Sequence, residues 1–429
     1  MGRLYAERSH LIGRKANTVR TGVKCRYNFS MRESTAIVTV AVALVGTTLL
    51  FAQRQTAPRP SQQPPSSFSG CPPGQTEVRA GRCEAPEMAP PSILDYRPKS
   101  TLVVDEHPVP KAKFPVVDIH SHEAATPDNM ARLVREMDAL NLRVLNNLSG
   151  GSGERLKRNV DTIRNSPYRD RFTVFANLDF RAFAPGWGLK AAAQFEQDVR
   201  NGAVGLKIFK DLGMTARKAD GSRIAIDDPE LDPVWAAAGR LNVPVLIHTG
   251  EPPAFFEPPD YTNERWLELA LFPSRRNYDA SKVKFEQLVA ERDRMFAKHP
   301  KTRFIAAHFA YHGHDLKRAG ALLDKLPNVY LEVAAVLYDF GRQPRTAAAF
   351  FTKYQNRILF GKDTYAPSEF PYYWRVFETA DEYFDYYRDY HAFWKLYGME
   401  LPDIVLRKLY YENALKVTPG LPTTGWPRQ

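Results

Sequence analysis

From Phe114 onward the apolar positions fall into short runs that recur along the chain and read as strands. They occupy 115–120 (PVVDIH), 142–148 (LRVLNNL), 171–180 (RFTVFANLDF), 203–209 (AVGLKIF), 243–248 (VPVLIH), 303–308 (RFIAAH), 328–334 (NVYLEVA) and 357–363 (RILFGKD). Between them the apolar spacing changes to three and four, as in DNMARLVREMDAL, LKAAAQFEQDVRN, ELDPVWAAAGRL, FEQLVAERDRMFAKH and GALLDKL, and PDIVLRKLYYENALKV closes the set. Eight alternating units over about 300 residues predict an α/β chain folded as a single (β/α)8 TIM barrel, with a doubly wound sheet as the competing arrangement.

Ahead of this pattern the chain changes character. Residues 36–52, AIVTVAVALVGTTLLFA, form an uncharged apolar run behind the basic flank 1–35. That is the layout of a signal peptide or membrane anchor, and its 17 residues sit at the lower edge of a bilayer span. Met31 offers an alternative start, which would remove Cys25. Residues 53–114 carry twelve prolines among Ser, Gln and Thr and read as a tether around a small loop bracketed by Cys71 and Cys83. Two close cysteines in an exported segment predict a disulfide. The barrel is expected over 115–419 with a tail at 420–429, outside the cytoplasm, periplasmic or membrane-anchored through 36–52.

The charge supports no nucleic-acid partner. The chain of 429 residues carries +11, but residues 1–59 hold ten Lys and Arg against Glu7 and Glu33, leaving only +3 for the remaining 370. A basic binding face is not what that balance describes. At 44% hydrophobic and 12% aromatic, the chain has ample material for a barrel core.

The chemistry lies at the strand ends. His120 and His122 end the first run, His248 the fifth, His308 the sixth and Asp363 the eighth. Alternation along a strand points Asp118, His120 and His122 the same way, so one rigid element offers two imidazoles to one ion. Singly, each residue has an ordinary alternative: an exposed or hydrogen-bonded histidine, a satisfied core histidine, or an aspartate capping a turn. Four of only ten histidines at C-terminal strand ends, where barrel enzymes keep their chemistry, make a metal site the better reading.

With these residues in view, VVDIHSH, GLKIF, VLIHTGEP, AAH, LFGKDT and YYENALKV resemble the amidohydrolase superfamily, specifically the amidohydrolase-related family that includes aminocarboxymuconate semialdehyde decarboxylase. The resemblance spans roughly 115–419. It implies a divalent metal, zinc above all, held by His120, His122, His248 and Asp363, with His308 beside the water that the ion activates. Lys207 decides the metal count: carboxylated, it would hold a second ion together with His308; unmodified, it would position substrate charge beside one ion, or extend from the barrel rim. In the implied mechanism Asp363 takes and returns a proton, His308 stabilises an oxyanion and Asp118 supports the ligands from behind.

Substrate recognition has a thinner signature. The long insertion after His248 offers Phe255, Phe256 and Trp266 as an apolar wall and Arg275 and Arg276 as an anion clamp, with a packed surface loop as the alternative. LSGGSGERL after the second strand offers backbone N–H groups to an anion. The expectation is an exported metal-dependent hydrolase acting on a C–N or C–O bond of a small carbonyl compound. A metal-dependent non-oxidative decarboxylase is the alternative reaction, and a non-catalytic surface-anchored binding protein is the reading from another class.

Overall fold

All eight runs form strands, and they pair in one parallel order: β1 Val116–Ser121, β2 Leu142–Asn147, β3 in two pieces at Phe172–Val174 and Ala176–Asn177, β4 Leu206–Ile208, β5 Val245–Ile247, β6 Phe304–Ala306, β7 Val329–Glu332 and β8 Ile358–Leu359. The computed structural model describes residues 70–427 except 73, 90, 93, 94, 261, 392 and 393. The expected basic flank, the apolar run 36–52 and Cys25 lie outside the described residues. No helix among the described residues is long and apolar enough to cross a membrane.

Two junctions close the ring. Within β3 the partner changes: Phe172–Val174 pairs with β2, and after Phe175 the strand pairs with β4, Ala176 opposite Leu206. The second junction joins β8 to β1, where Ile119 N donates to Phe360 O at 3.1 Å, Asp363 N to His120 O at 2.6 Å, and Ser121 bridges Asp363 in parallel register. Parallel strands from first to eighth make this a (β/α)8 barrel and remove the doubly wound sheet.

The helices around the ring are α1 Met130–Leu140, α2 Gly153–Arg164, α3 Trp187–Asn201, α4 Asp232–Arg240, α5 Phe285–Lys298, α6 Leu316–Lys325, α7 Pro344–Lys353 and α8 Phe370–Glu378. In α1 the buried positions Met130, Leu133, Val134, Met137 and Leu140 make one apolar stripe, and Asn141 ends it in a left-handed conformation, φ 64°, its N–H returning to Met137 O and Asp138 O. The C-terminal segment runs Asp403–Arg407, a π-helical turn Lys408–Glu412 and Asn413–Val417, and seals β8 through Leu409 O and the Asn413 amide.

The chain divides into two units after Pro98. In the first, Thr76–Arg79 and Arg82–Glu84 form a hairpin turned at Gly81, and Cys71 and Cys83 are joined in a disulfide with Cα atoms 5.5 Å apart. Residues 99–114, which the composition assigns to the tether, belong to the barrel unit. Ala112 is buried there, His107 N donates to Asp381 at 2.8 Å and Lys113 N to Glu378 at 3.0 Å.

Gly205 stands immediately before β4. A Cβ there would stand 2.5–2.8 Å from the fully buried Phe175 ring. Gly205→Ala is therefore expected to destabilise the fold by about 1–3 kcal/mol through overpacking. Denaturant unfolding of both proteins checks this, and equal midpoints would contradict it.

Candidate metal centre

Each of the four strand-end imidazoles is pinned by one nitrogen and turns the other inward. His120 holds Glu332 Oε1 with Nδ1 at 2.8 Å, His122 holds Ser149 Oγ with Nδ1 at 2.7 Å, His308 holds Ala334 O with Nδ1 at 2.8 Å, and His248 holds the Tyr311 hydroxyl with Nε2 at 3.1 Å. Histidines that bind metals are normally oriented through the second nitrogen in this way.

The inward atoms stand close together. Asp363 Oδ1 lies 3.5 Å from His120 Nε2 and 3.4 Å from His122 Nε2; His248 Nδ1 lies 3.2 Å from His308 Nε2. Donor atoms about 2.0–2.2 Å from one tetrahedral ion stand about 3.3 Å apart, so these separations suit shared coordination. His120, His122 and Asp363 form one group able to hold a cation, and His120, His308 and Glu332 a second; His248 is outside both and joins through His308. The residues present fit a divalent cation.

Burial sets the charge states. It holds the His120 and His248 imidazoles well below their ordinary range and brings His308 to about 4, so they stand neutral with lone pairs available. At Asp363 burial acts upward, but the hydrogen bond from His122 and the neighbouring His120 and His308 hold the carboxyl well below the usual carboxylate range. Asp363 itself sits at φ 79°, a left-handed conformation unusual outside glycine.

Lys207 lies inside the barrel at 1% exposure, with Nζ 3.2 Å from His120 Nε2, so it is not a rim lysine reaching for solvent. Burial lowers its ammonium to about 8. Asp118, raised to about 8 by burial, accepts from His120 N at 3.1 Å and Lys362 N at 3.0 Å, and its Oδ2 has no partner among the described residues. It braces the backbone of both ligand-bearing strands.

Glu332, Ser149 and Tyr311 escaped the sequence reading. Glu332 is fully buried and ties three strands: besides His120 it accepts from His308 N at 2.7 Å and Ala334 N at 2.6 Å. Its one signal was an acid inside the apolar run VYLEVAAV. Tyr311 reaches the site through a turn in which His308, Phe309, Ala310 and Tyr311 all have φ between 51° and 56°. Such conformations cost roughly 1–2 kcal/mol per L-residue, so packing must enforce them. Phe309 is fully buried, 4.8 Å from Phe340, and Arg292 Nη1 donates to Ala310 O at 2.9 Å.

The residues offered for substrate binding are placed elsewhere. Phe255 is fully buried between the guanidinium groups of Arg265 and Arg275, and Phe256 packs on Phe285 at 5.6 Å, so both are core. Trp266 is exposed at 39%. Arg275 is held by Glu268, which is fully buried and also binds Arg265, and Arg276 Nε donates to Leu269 O. Arg275 is therefore not left as a free clamp. In LSGGSGERL the Ser149, Gly151 and Gly153 N–H groups are taken by Asn147, Asn177 and Asp198, so these three are not offered to an anion. A cavity of about 980 Å³ adjoins the centre through Phe209, which stacks on His122 at 5.7 Å.

Glu332→Gln keeps the shape but loses the carboxylate that orients His120. Zinc affinity is expected to fall about 10–100-fold, measured by competition with a chelator. An unchanged affinity would contradict the orienting role.

Three comparisons bear on the chain. No curated protein matches it. Among solved structures it is similar to an uncharacterised TIM-barrel protein from Bordetella bronchiseptica (16% identity, 71% of this chain and 98% of that one, TM-score 0.44), to 2,6-dihydroxybenzoate decarboxylase from Rhizobium (15%, 71% and 98%, 0.41) and to 5-carboxyvanillate decarboxylase from Sphingomonas paucimobilis (15%, 71% and 99%, 0.43). A family model described as amidohydrolase matches residues 174–419, more than half of the chain. The matched stretch carries Lys207, His248, His308 and Asp363, and the His120–His122 pair stands ahead of it on β1. With that match, and with imidazoles and a carboxylate converging at the C-terminal strand ends of a closed barrel, the chain belongs to the amidohydrolase family.

Proposed function

We propose that the chain is a zinc-dependent hydrolase of a C–N or C–O bond in a small carbonyl compound, with His120, His122, His248 and Asp363 as ligands. The observation that carries the reading is the set of four imidazoles each anchored by one nitrogen, His120 and His122 presenting the other to the Asp363 carboxylate and His248 and His308 turning theirs toward each other. A divalent ion bound there supplies a Lewis acid that polarises a carbonyl and makes water nucleophilic near neutral pH.

The protein's own groups divide the remaining work. Asp363, kept ionised, accepts the proton of the attacking water and returns it to the leaving atom. His308 cannot stabilise an oxyanion as expected, because its Nδ1 proton is committed to Ala334 O and its inward Nε2 only accepts. It serves as a ligand or as an acceptor for water. Lys207, beside His120 Nε2, is placed to carry a second ion if carboxylated.

Decarboxylation is the second reading, favoured by Arg217 and Lys282 in the lining of the 980 Å³ cavity, where Lys210, Arg223 and Arg275 are instead held by Glu251, Glu291 and Glu268. Such a lining suits a substrate carboxylate. Export is supported by the apolar run 36–52 behind its basic flank and by the Cys71–Cys83 disulfide.

Turnover by zinc-loaded protein of lactones, amides and aromatic carboxylates tests the reaction. Hydrolysis products that vanish on chelation and return with zinc are expected, whereas release of CO2 would transfer the assignment to decarboxylation. Asp363→Asn is expected to lose at least about 10³-fold in kcat with an unchanged circular dichroism spectrum. Retained activity would remove Asp363 from the chemistry.

A further inference from the structure

One residue before Asp363, the Lys362 side chain is wholly withdrawn from solvent, and the proposed reaction gives it no part. While Asp363 turns toward the imidazoles, Lys362 runs toward α8, where Nζ stands 5.7 Å from the Phe370 ring and 5.5 Å from the Tyr373 and Tyr387 rings. There Nζ donates to Glu369 Oε2 at 2.5 Å and to Thr364 O at 3.2 Å. The aromatic cage is itself fixed to the barrel, because the Tyr373 hydroxyl accepts from Ala335 N at 3.1 Å, just past β7. Burying an ammonium costs several kcal/mol, and a buried salt bridge seldom returns more than that cost. A methionine would fill much of the same space without it, so stability alone does not account for a lysine.

Its bonds supply another reason. Ahead of Asp363, Lys362 N is held by Asp118 Oδ1 at 3.0 Å and His120 O at 3.3 Å; behind it, the Nζ bond to Thr364 O closes over the chain. One residue thus ties down the backbone on both sides of Asp363. Asp363 has φ 79°, where an L-residue is strained, and it stays there only if its surroundings leave no relaxed alternative. In that conformation its Oδ1 stands 3.5 Å from His120 Nε2 and 3.4 Å from His122 Nε2.

We propose that Lys362 is the positioning residue for Asp363: its ammonium, anchored by Glu369 at the start of α8, clasps the Thr364 carbonyl across Asp363, holds that residue left-handed and so keeps its carboxylate against the imidazoles. The consequence for zinc rests on the proposed metal site; the backbone constraint does not.

The test places Lys362→Met in the full chain, alone and together with Asp363→Asn, and measures zinc affinity by competition with a chelator. A loss of about tenfold is expected where Asp363 is present, and no further loss where it is Asn, because a residue that acts through Asp363 then has nothing to act on. An equal loss in both backgrounds, or none in either, overturns the proposal. A crystal structure of metal-free Lys362→Met reads the backbone without zinc: Asp363 is expected to leave the positive-φ region, and its retention near φ 79° overturns the clasp. Should Lys362→Met not fold, Glu369→Gln removes the charged anchor and keeps its shape. A smaller loss of zinc affinity, again confined to chains with Asp363, is expected, and unchanged affinity overturns the proposal. Failure of the wild type to take up zinc would instead sink the metal reading and leave the crystal structure of either variant to decide the clasp.

Discussion

The buried carboxylate of Glu332 orders the site. It accepts three hydrogen bonds, from the His120 ring on β1, the His308 N–H just past β6 and the Ala334 N–H just past β7. A carboxylate so deep costs several kcal/mol unless its donors arrive together, so the three strand ends must hold one mutual register. His120, oriented this way, faces Asp363 and Lys207; His308, fixed at its backbone nitrogen, begins the left-handed turn that delivers Tyr311 to His248. Gly361 completes the arrangement, because a Cβ there would fall 2.6 Å from Glu332 Oε2 and 2.8 Å from His120 Cβ.

The charge inside the barrel explains why that register suits a cation. Three carboxyls, Asp118, Glu332 and Asp363, are gathered with the buried amines of Lys207 and Lys362 among imidazoles that burial keeps neutral. Burial pushes the Asp118 and Glu332 carboxyls up and the Lys207 ammonium down, as expected where solvent no longer stabilises charge. The neutral imidazoles and the ionised Asp363 are the groups that would receive a divalent ion.

How much of this could be read beforehand depended on how local each signal was. The strand ends were legible because an apolar run closing on a histidine or aspartate is a pattern within six residues, and His120, His122, His248, His308 and Asp363 all meet at one end of the barrel. Glu332 was passed over because the acid sits inside a run that otherwise reads as ordinary strand. Tyr311 was hidden for another reason: its place depends on a left-handed turn that Phe309, Ala310 and Tyr311 do not announce as glycines would. In the insertion after His248 the aromatic and arginine content suggested a binding wall, but buried Glu268 holds Arg265 and Arg275 over Phe255, and only the tertiary fold shows it.

The central claim is that these strand ends hold a divalent ion, and anomalous diffraction at the zinc edge from crystals of the zinc-loaded chain tests it most directly. The account predicts a peak within about 2.0–2.2 Å of His120 Nε2, His122 Nε2 and an Asp363 carboxylate oxygen. A zinc peak only at other residues, or none from protein shown to be folded and exposed to zinc, would contradict it.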